Sequence, residues 1–215
     1  MACGLCRRAA PPYGKAVAYG SFDQALRAMI HLLKYDHILP AAEFLGLRLG
    51  EAFAKLPVPL PANCSDNAVK DGSKDASDRN AWLVIPVPLH SSKLRQRGFN
   101  QTEVIARATL RNAAWRHMRL ETRALVRHRE TVSQAGLTRH QRRKNIRGAF
   151  RVKTPAAVAG RDILLVDDVF TTGATVSECA RVLRRAGARG VWVATVARAL
   201  KTDRVLHSLL TAEAA

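Results

Sequence analysis

The chain reads as an α/β protein in which a central, mostly parallel sheet is flanked by helices. One observation is the run at residues 163–166, Ile-Leu-Leu-Val, whose lack of polar alternation marks a strand covered on both faces. A second is the stretch directly after that run: two carboxylates, a loop rich in Thr and Gly, and apolar positions at roughly helical spacing (Val176, Ala180, Val182, Leu183) closed by Gly187. The third is a pair of further apolar strands, at 82–85 and 190–197, separated from the first by helical stretches.

From the N-terminus, Cys3-Gly4-Leu5-Cys6 forms half of a zinc-knuckle pattern. A structural zinc needs four ligands, and no second Cys-x-x-Cys is present, so either a pair is missing or these are two ordinary thiols. Residues 16–19 read as a short edge strand. At 23–34, Leu26, Met29, Ile30 and Leu33 share one stripe of an amphipathic helix with Ser21 as its cap and Lys34 favourably placed at its end. A second helix is expected over 39–56 with Phe44, Leu45 and Leu49 inward. Residues 57–80 hold almost nothing apolar and are expected to form a flexible surface loop.

The strand at 82–85 runs into Pro86-Val87-Pro88-Leu89-His90, where prolines end ladder pairing. Lys93, Arg95 and Arg97 then sit on a loop before a helix expected over 101–118. A strand at 122–126 leads into a polar run reaching Asn145, a candidate flap, and Gly148-Ala149-Phe150 marks the return to structure. The last strand ends near Ala197, and a short helix is expected after Arg198. No internal repeat is visible.

At 215 residues the chain suits one α/β domain with an appendage, large enough to bury about 70% of its unfolded surface without disulfides. No apolar run reaches the length of a membrane span, and residues 1–8 lack the apolar core of a signal peptide, so the expected compartment is the cytoplasm. The four cysteines are too few and scattered for a secreted disulfide framework. Lys and Arg number 35 against 17 Asp and Glu, a net charge of +18. Residues 91–151 carry 16 basic and 3 acidic side chains, so most of the excess lies in one segment. Such a field attracts phosphorylated small molecules or a nucleic-acid backbone.

The chemistry gathers at 167–175. Asp167 and Asp168 are expected at the carboxyl end of a sheet strand, where open α/β folds bind ligands. Thr171, Thr172, Gly173, Ala174 and Thr175 would offer backbone N–H groups and hydroxyls at a helix N-terminus, which favours phosphate. No Lys comes after the glycine, so this is not a nucleotide P-loop. Carboxylates for diol hydroxyls beside a phosphate cradle suit a ribose 5-phosphate.

Those residues, with Cys3-x-x-Cys6, Leu33-Lys34-Tyr35, Ile85-Pro-Val-Pro-Leu-His90, Arg95-Gln-Arg-Gly-Phe-Asn-Gln101, Thr131-x-x-Gln134-x-x-Leu137 and Arg142-Arg143-Lys144-Asn145-x-x-Gly148-Ala-Phe150, resemble the ComF family of competence-protein-F-like, GntX-like proteins. The resemblance implies a type I phosphoribosyltransferase-like fold. It divides the chain into a zinc-finger-like remnant at 1–15, a hood and helical region at 16–56, the loop at 57–80 and the phosphoribosyltransferase domain at 81–215. The chain departs from the family's usual two Cys-x-x-Cys pairs, of which one is present, and zinc on Cys3 and Cys6 is expected only on that basis.

The implied activity is transfer of a ribosyl 5-phosphate from phosphoribosyl pyrophosphate (PRPP) with Mg²⁺. Asp167 and Asp168 would hold the ribose hydroxyls, directly or through the metal, and residues 171–175 the 5′-phosphate. Arg95 and Arg97 would meet the pyrophosphate, since guanidinium forks match phosphate oxygens. Lys34, Thr131, Gln134 and Asn145 would close over the acceptor, whose identity these residues do not give. The competing expectation is an accessory factor for DNA uptake or use that binds single-stranded DNA and competence proteins without catalysis; a fold alone does not choose between them.

Overall fold

The structure, a computed structural model, describes residues 10–57, 81–131 and 138–199. Cys3, Cys6, Cys64 and Gln134, most of the expected loop at 57–80 and the expected C-terminal helix lie outside the described residues.

The α/β expectation holds. Five strands, β1 (Ala16–Ser21), β2 (Leu83–Pro86), β3 (Arg119–Leu120), β6 (Asp162–Phe170) and β7 (Gly190–Arg198), form a parallel sheet in the order β1-β7-β6-β2-β3. Alternation along β6 divides the core in two. Leu164 and Val166 face α1 (Gln24–Lys34), α2 (Pro40–Phe53) and α4 (Gln101–Arg111), while Ile163 and Leu165 face α7 (Ala174–Arg185). Each of these four residues is fully buried, which removes roughly 1.5–3 kcal/mol of apolar exposure per side chain. The apolar run without alternation is therefore what a strand with two dry faces requires.

A two-stranded antiparallel ribbon, β4 (Leu125–Arg127) with β5 (Phe150–Val152), covers the α7 face together with α5 (Arg139–Ile146) and the short α6 (Pro155–Val158). A capping box between Thr138 and Gln141 starts α5. The expected strand at 122–126 is thus β4, which belongs to this cover and not to the main sheet. Residues 16–56 join the main sheet and its core: β1 pairs with β7 at the sheet edge, and α1 and α2 pack on the core.

Several boundaries moved for physical reasons. Ser21 stays in the β1 ladder opposite Arg198, so Asp23 caps α1 by accepting from the Leu26 amide at 3.1 Å. In α2, Leu45 and Leu49 are buried as expected, but Phe44 is exposed beneath the Arg48 guanidinium, 4.9 Å from its ring centroid. Residues 91–97, expected as loop, form α3 (Ser91–Arg97), which ends at Gly98 with φ 79°. The helix expected to reach 118 stops at Arg111, because Asn112 turns extended and its side chain accepts the Ala114 amide at 2.9 Å.

Candidate active site

In the order β1-β7-β6-β2-β3, the chain leaves β6 toward β7 on one side and β2 toward β3 on the other. The crevice between β6 and β2 is therefore a topological switch point, where sheets of this kind bind ligands at their carboxyl ends. A cleft of about 590 Å³ opens there, walled by 87–90 from the β2 loop, Asp167, Asp168, Val169 and Thr171 from β6 and its turn, Lys34 from α1, Arg97 from α3 and Arg142 from α5.

The strand does not stop at Val166. It pairs with β7 as far as Phe170, so both aspartates lie inside the ladder. With a period of two, adjacent side chains leave opposite faces of a strand. Asp168 turns to the α1/α4 face, 6% exposed, where Lys34 makes an ion pair with its Oδ2 and Gln101 Nε2 donates to the same oxygen at 3.1 Å. Its Oδ1 accepts from the Val169 amide at 2.7 Å. Burial alone would raise the pKa of this carboxyl, but Lys34, Gln101 and the Val169 amide outweigh it and hold the group below the ordinary carboxylate range.

Asp167 faces the other way, toward Arg127 and Cys179. Among the described residues, its Oδ1 accepts from a neighbouring backbone amide alone, that of Asp168, at 3.0 Å. Burial, and next the Asp168 carboxylate, push it up to about 8, with Lys34 opposing only in part. Burial likewise pushes the Cys179 thiol well up, which makes it a packed apolar group and not a nucleophile. The two adjacent aspartates are thus pushed in opposite directions, Asp167 toward its protonated form and Asp168 toward its ionised one.

Beyond Phe170 the chain turns into α7 through Gly173 at φ 72°. A Cβ there would come 2.7 Å from Phe170 Cζ as well as strain the backbone, so only glycine makes this turn. The amides of Thr171, Thr172 and Gly173 take no hydrogen bond to another described residue. Ala174 N–H reaches the Thr172 hydroxyl at 3.4 Å, and Arg142 Nη1 donates to Thr171 Oγ1 at 3.2 Å. The turn is a set of donors at a helix N-terminus with a guanidinium beside it, which suits an anion.

Against known sequences, the chain is 33% identical over 201 residues to the DNA utilization protein YhgH of Escherichia coli O6:H1, a match spanning 93% of this chain and 79% of that protein. This chain belongs to the ComF family. Competence protein F of Haemophilus influenzae is 28% identical over 92% of this chain and 78% of its own length. Competence protein ComFC of Streptococcus pneumoniae is 28% identical over 55% and 49% respectively. No family model matches. Among solved structures, the L. donovani hypoxanthine-guanine phosphoribosyl transferase overlays with TM-score 0.38 at 13% identity, covering 80% of this chain and 77% of that one. The glutamine PRPP amidotransferase from B. subtilis gives 0.39 at 16% identity, over 72% and 25%.

The ComF motifs do not all converge. Lys34, Arg97, Thr131, Asp167, Asp168, Thr171 and Thr175 line the cleft. Arg95 does not: two residues along a helix is a turn of about 200°, which leaves it exposed on the far side of α3 from Arg97. Asn145 is also outside the lining, and its carbonyl accepts from Arg129 Nη2 at 2.8 Å. Residues to which the motifs alone assign no role do face the cleft, among them Gln101, Arg127, Arg142, His90 and Glu130. Gln101 left one trace in the sequence, its place directly after Asn100, the cap of α4, at the end of that helix nearest the strand tips.

Proposed function

We propose that this cleft binds PRPP together with Mg²⁺, and that the chain is a phosphoribosyltransferase-type protein serving DNA utilisation or competence. The reading rests on one observation: two aspartates, one on each face of β6, stand at a switch point beside a turn of open amides that starts a helix. The names borne by its relatives, a DNA utilization protein and competence proteins, support the cellular setting.

In this reading the turn from Thr171 to Thr175 takes the 5′-phosphate, and Asp167 and Asp168 take the ribose hydroxyls. Mg²⁺ uses one or two protein carboxylates and leaves its other positions to water and substrate phosphates. The aspartate pair fits that demand, while among the described residues no group of three His, Cys, Asp or Glu could cage a metal unaided. When bound, the ion would neutralise charge building on the pyrophosphate. Arg97 and Lys93, from one face of α3, would meet the same group. As the ribosyl carbon becomes cation-like, the Asp168 carboxylate would stabilise it by fixed charge already in place, and Asp167 would add to it once a bound cation favours its charged form. Lys34 and Thr131 would border the acceptor.

Calorimetry with PRPP and Mg²⁺ tests the binding, and a screen of acceptor bases for pyrophosphate release tests the transfer. Saturable, Mg²⁺-dependent heat is expected. A folded chain that shows neither heat nor thermal stabilisation with millimolar PRPP ends the proposal.

A second reading is favoured by the charge in residues 91–151, where Arg116, Arg119, Arg123, Arg143 and Lys144 are exposed or half-buried at the surface. A non-catalytic factor would use that surface to track single-stranded DNA. Its affinity would fall steeply as salt rises, and no binding at low salt removes it.

A further inference from the structure

Gln101 is 6% exposed, an unusual burial for an uncharged amide at the first position of a helix. Both ends of the amide are used, each in its own chemical sense. Nε2 donates to Asp168 Oδ2 at 3.1 Å, and Oε1 accepts from Arg97 Nη1 at 2.5 Å. Three further contacts frame this bridge. Lys34 pairs with the same Asp168 oxygen, and the Arg97 guanidinium lies over the ring of Tyr35, the residue after Lys34, at 5.5 Å. The other neighbour of that ring is His31, with centroids 4.4 Å apart. Four elements, α1, α3, α4 and β6, thus meet around one neutral side chain.

A guanidinium and a carboxylate this close, in a partly desolvated cleft, would ordinarily collapse into a direct bidentate pair. Collapse would cancel the Arg97 charge for any ligand and crowd a second cation onto the carboxylate that Lys34 already pairs. An amide between them satisfies a donor on one side and an acceptor on the other, and it holds the two ions one amide length apart.

We propose that Gln101 is a positioning residue, a neutral spacer that keeps Arg97 and Asp168 as two separate charges so that one ligand can meet both. The ligand class this favours carries an anionic group within one amide length of hydroxyls or of a metal ion. That deepens the PRPP reading and rests on it for the ligand, but not for the spacing itself.

The spacing is tested without ligand. Arg97→Ala, Asp168→Asn and the double variant are unfolded in urea, first in the native chain and then in a Gln101→Met background of similar volume. In the native chain the two changes are expected to couple only weakly, through the amide they share. Once a thioether replaces the amide, an Arg97–Asp168 coupling of about fivefold in the unfolding equilibrium should emerge and weaken with salt. Equal coupling in both backgrounds overturns the proposal. Should Gln101→Met fold poorly, Gln101→Asn, whose amide is too short to span both partners, must give the same coupling. Calorimetry with Mg²⁺ and PRPP separates this from the substrate reading: Gln101→Met should lose about tenfold in affinity, the value of one charge-assisted bond. A native chain that takes no PRPP while the new coupling emerges removes the substrate reading and leaves the spacer standing.

Discussion

The two sides of β6 at the cleft are built differently. On the Asp168 side the wall is part of the main core: α1 and α4, packed through Leu33 and Ile105, deliver Lys34 and Gln101 to the carboxylate. On the Asp167 side the wall is the small cover of β4, β5 and α5, and among the described residues the carboxylate faces the half-buried Arg127 guanidinium at a distance and the Cys179 thiol instead of a direct cation. Neighbours in sequence, alike in chemistry, are thereby given opposite duties. Asp168 is held ionised and fixed. Asp167 is biased toward its protonated form, and a bound cation would favour the charged one. The alternation of a strand is enough to make this division, provided the two faces are packed by unlike elements.

The largest test removes the fixed charge. Asp168→Asn leaves the Lys34 ammonium, whose side chain is 19% exposed, without its partner. We expect a loss of about 2–3 kcal/mol in stability by urea unfolding, below the full cost of a wholly buried pair because Lys34 reaches water. Binding of Mg²⁺ and PRPP should disappear in the same variant. Retained binding would show that the site lies elsewhere.

The second test reverses the sign. Because Asp167 is raised to about 8 in the folded chain, the folded state holds its proton more tightly than the unfolded state, and its contribution to stability falls as pH rises from about 4 to about 8. Asp168 runs the other way: its contribution is present above the ordinary carboxylate range and is lost as pH falls through its lowered value. Asp167→Asn should therefore stabilise the chain at pH 8, by about 1–2 kcal/mol, and flatten the fall in stability between about pH 4 and pH 8. The same variant should bind Mg²⁺ and PRPP more weakly. A stability loss like that of Asp168→Asn would mean that the two faces are not different after all.

How much the sequence disclosed depends on how local each feature is. The central strand, its acids, the threonine turn and α7 lie within 162–185 and are legible together, because period, composition and the glycine turn all act at short range. The ion pair between Lys34 and Asp168 is not, since nothing local distinguishes it from a cation at a helix end. Arg95 and Arg97 are equivalent on a loop, and only the helical turn of α3 separates them. The ribbon escapes for a similar reason: β4 and β5 are three residues each, and their pairing spans a long polar stretch that offers no alternation to read.

The smallest test concerns how firmly the cover is shut. Among the described residues, α5 reaches the threonine turn through Arg142 Nη1 and Thr171 Oγ1, at 3.2 Å. Behind it, Glu178 of α7 accepts the Gly148 amide at 2.7 Å and pairs with Arg181, which anchors the end of the cover independently of that contact. Thr171→Val keeps shape and β-branching but deletes the acceptor, so it should cost only about 0.5 kcal/mol, with Ile146 still packed in the core. Its effect should appear instead as faster amide exchange in α5 and a loss of a few fold in PRPP affinity, while exchange in α1 and α4 stays unchanged. If α1 and α4 loosened equally, the cover and the core would open as one unit, and the contrast between the two walls would describe only their chemistry and not their motion.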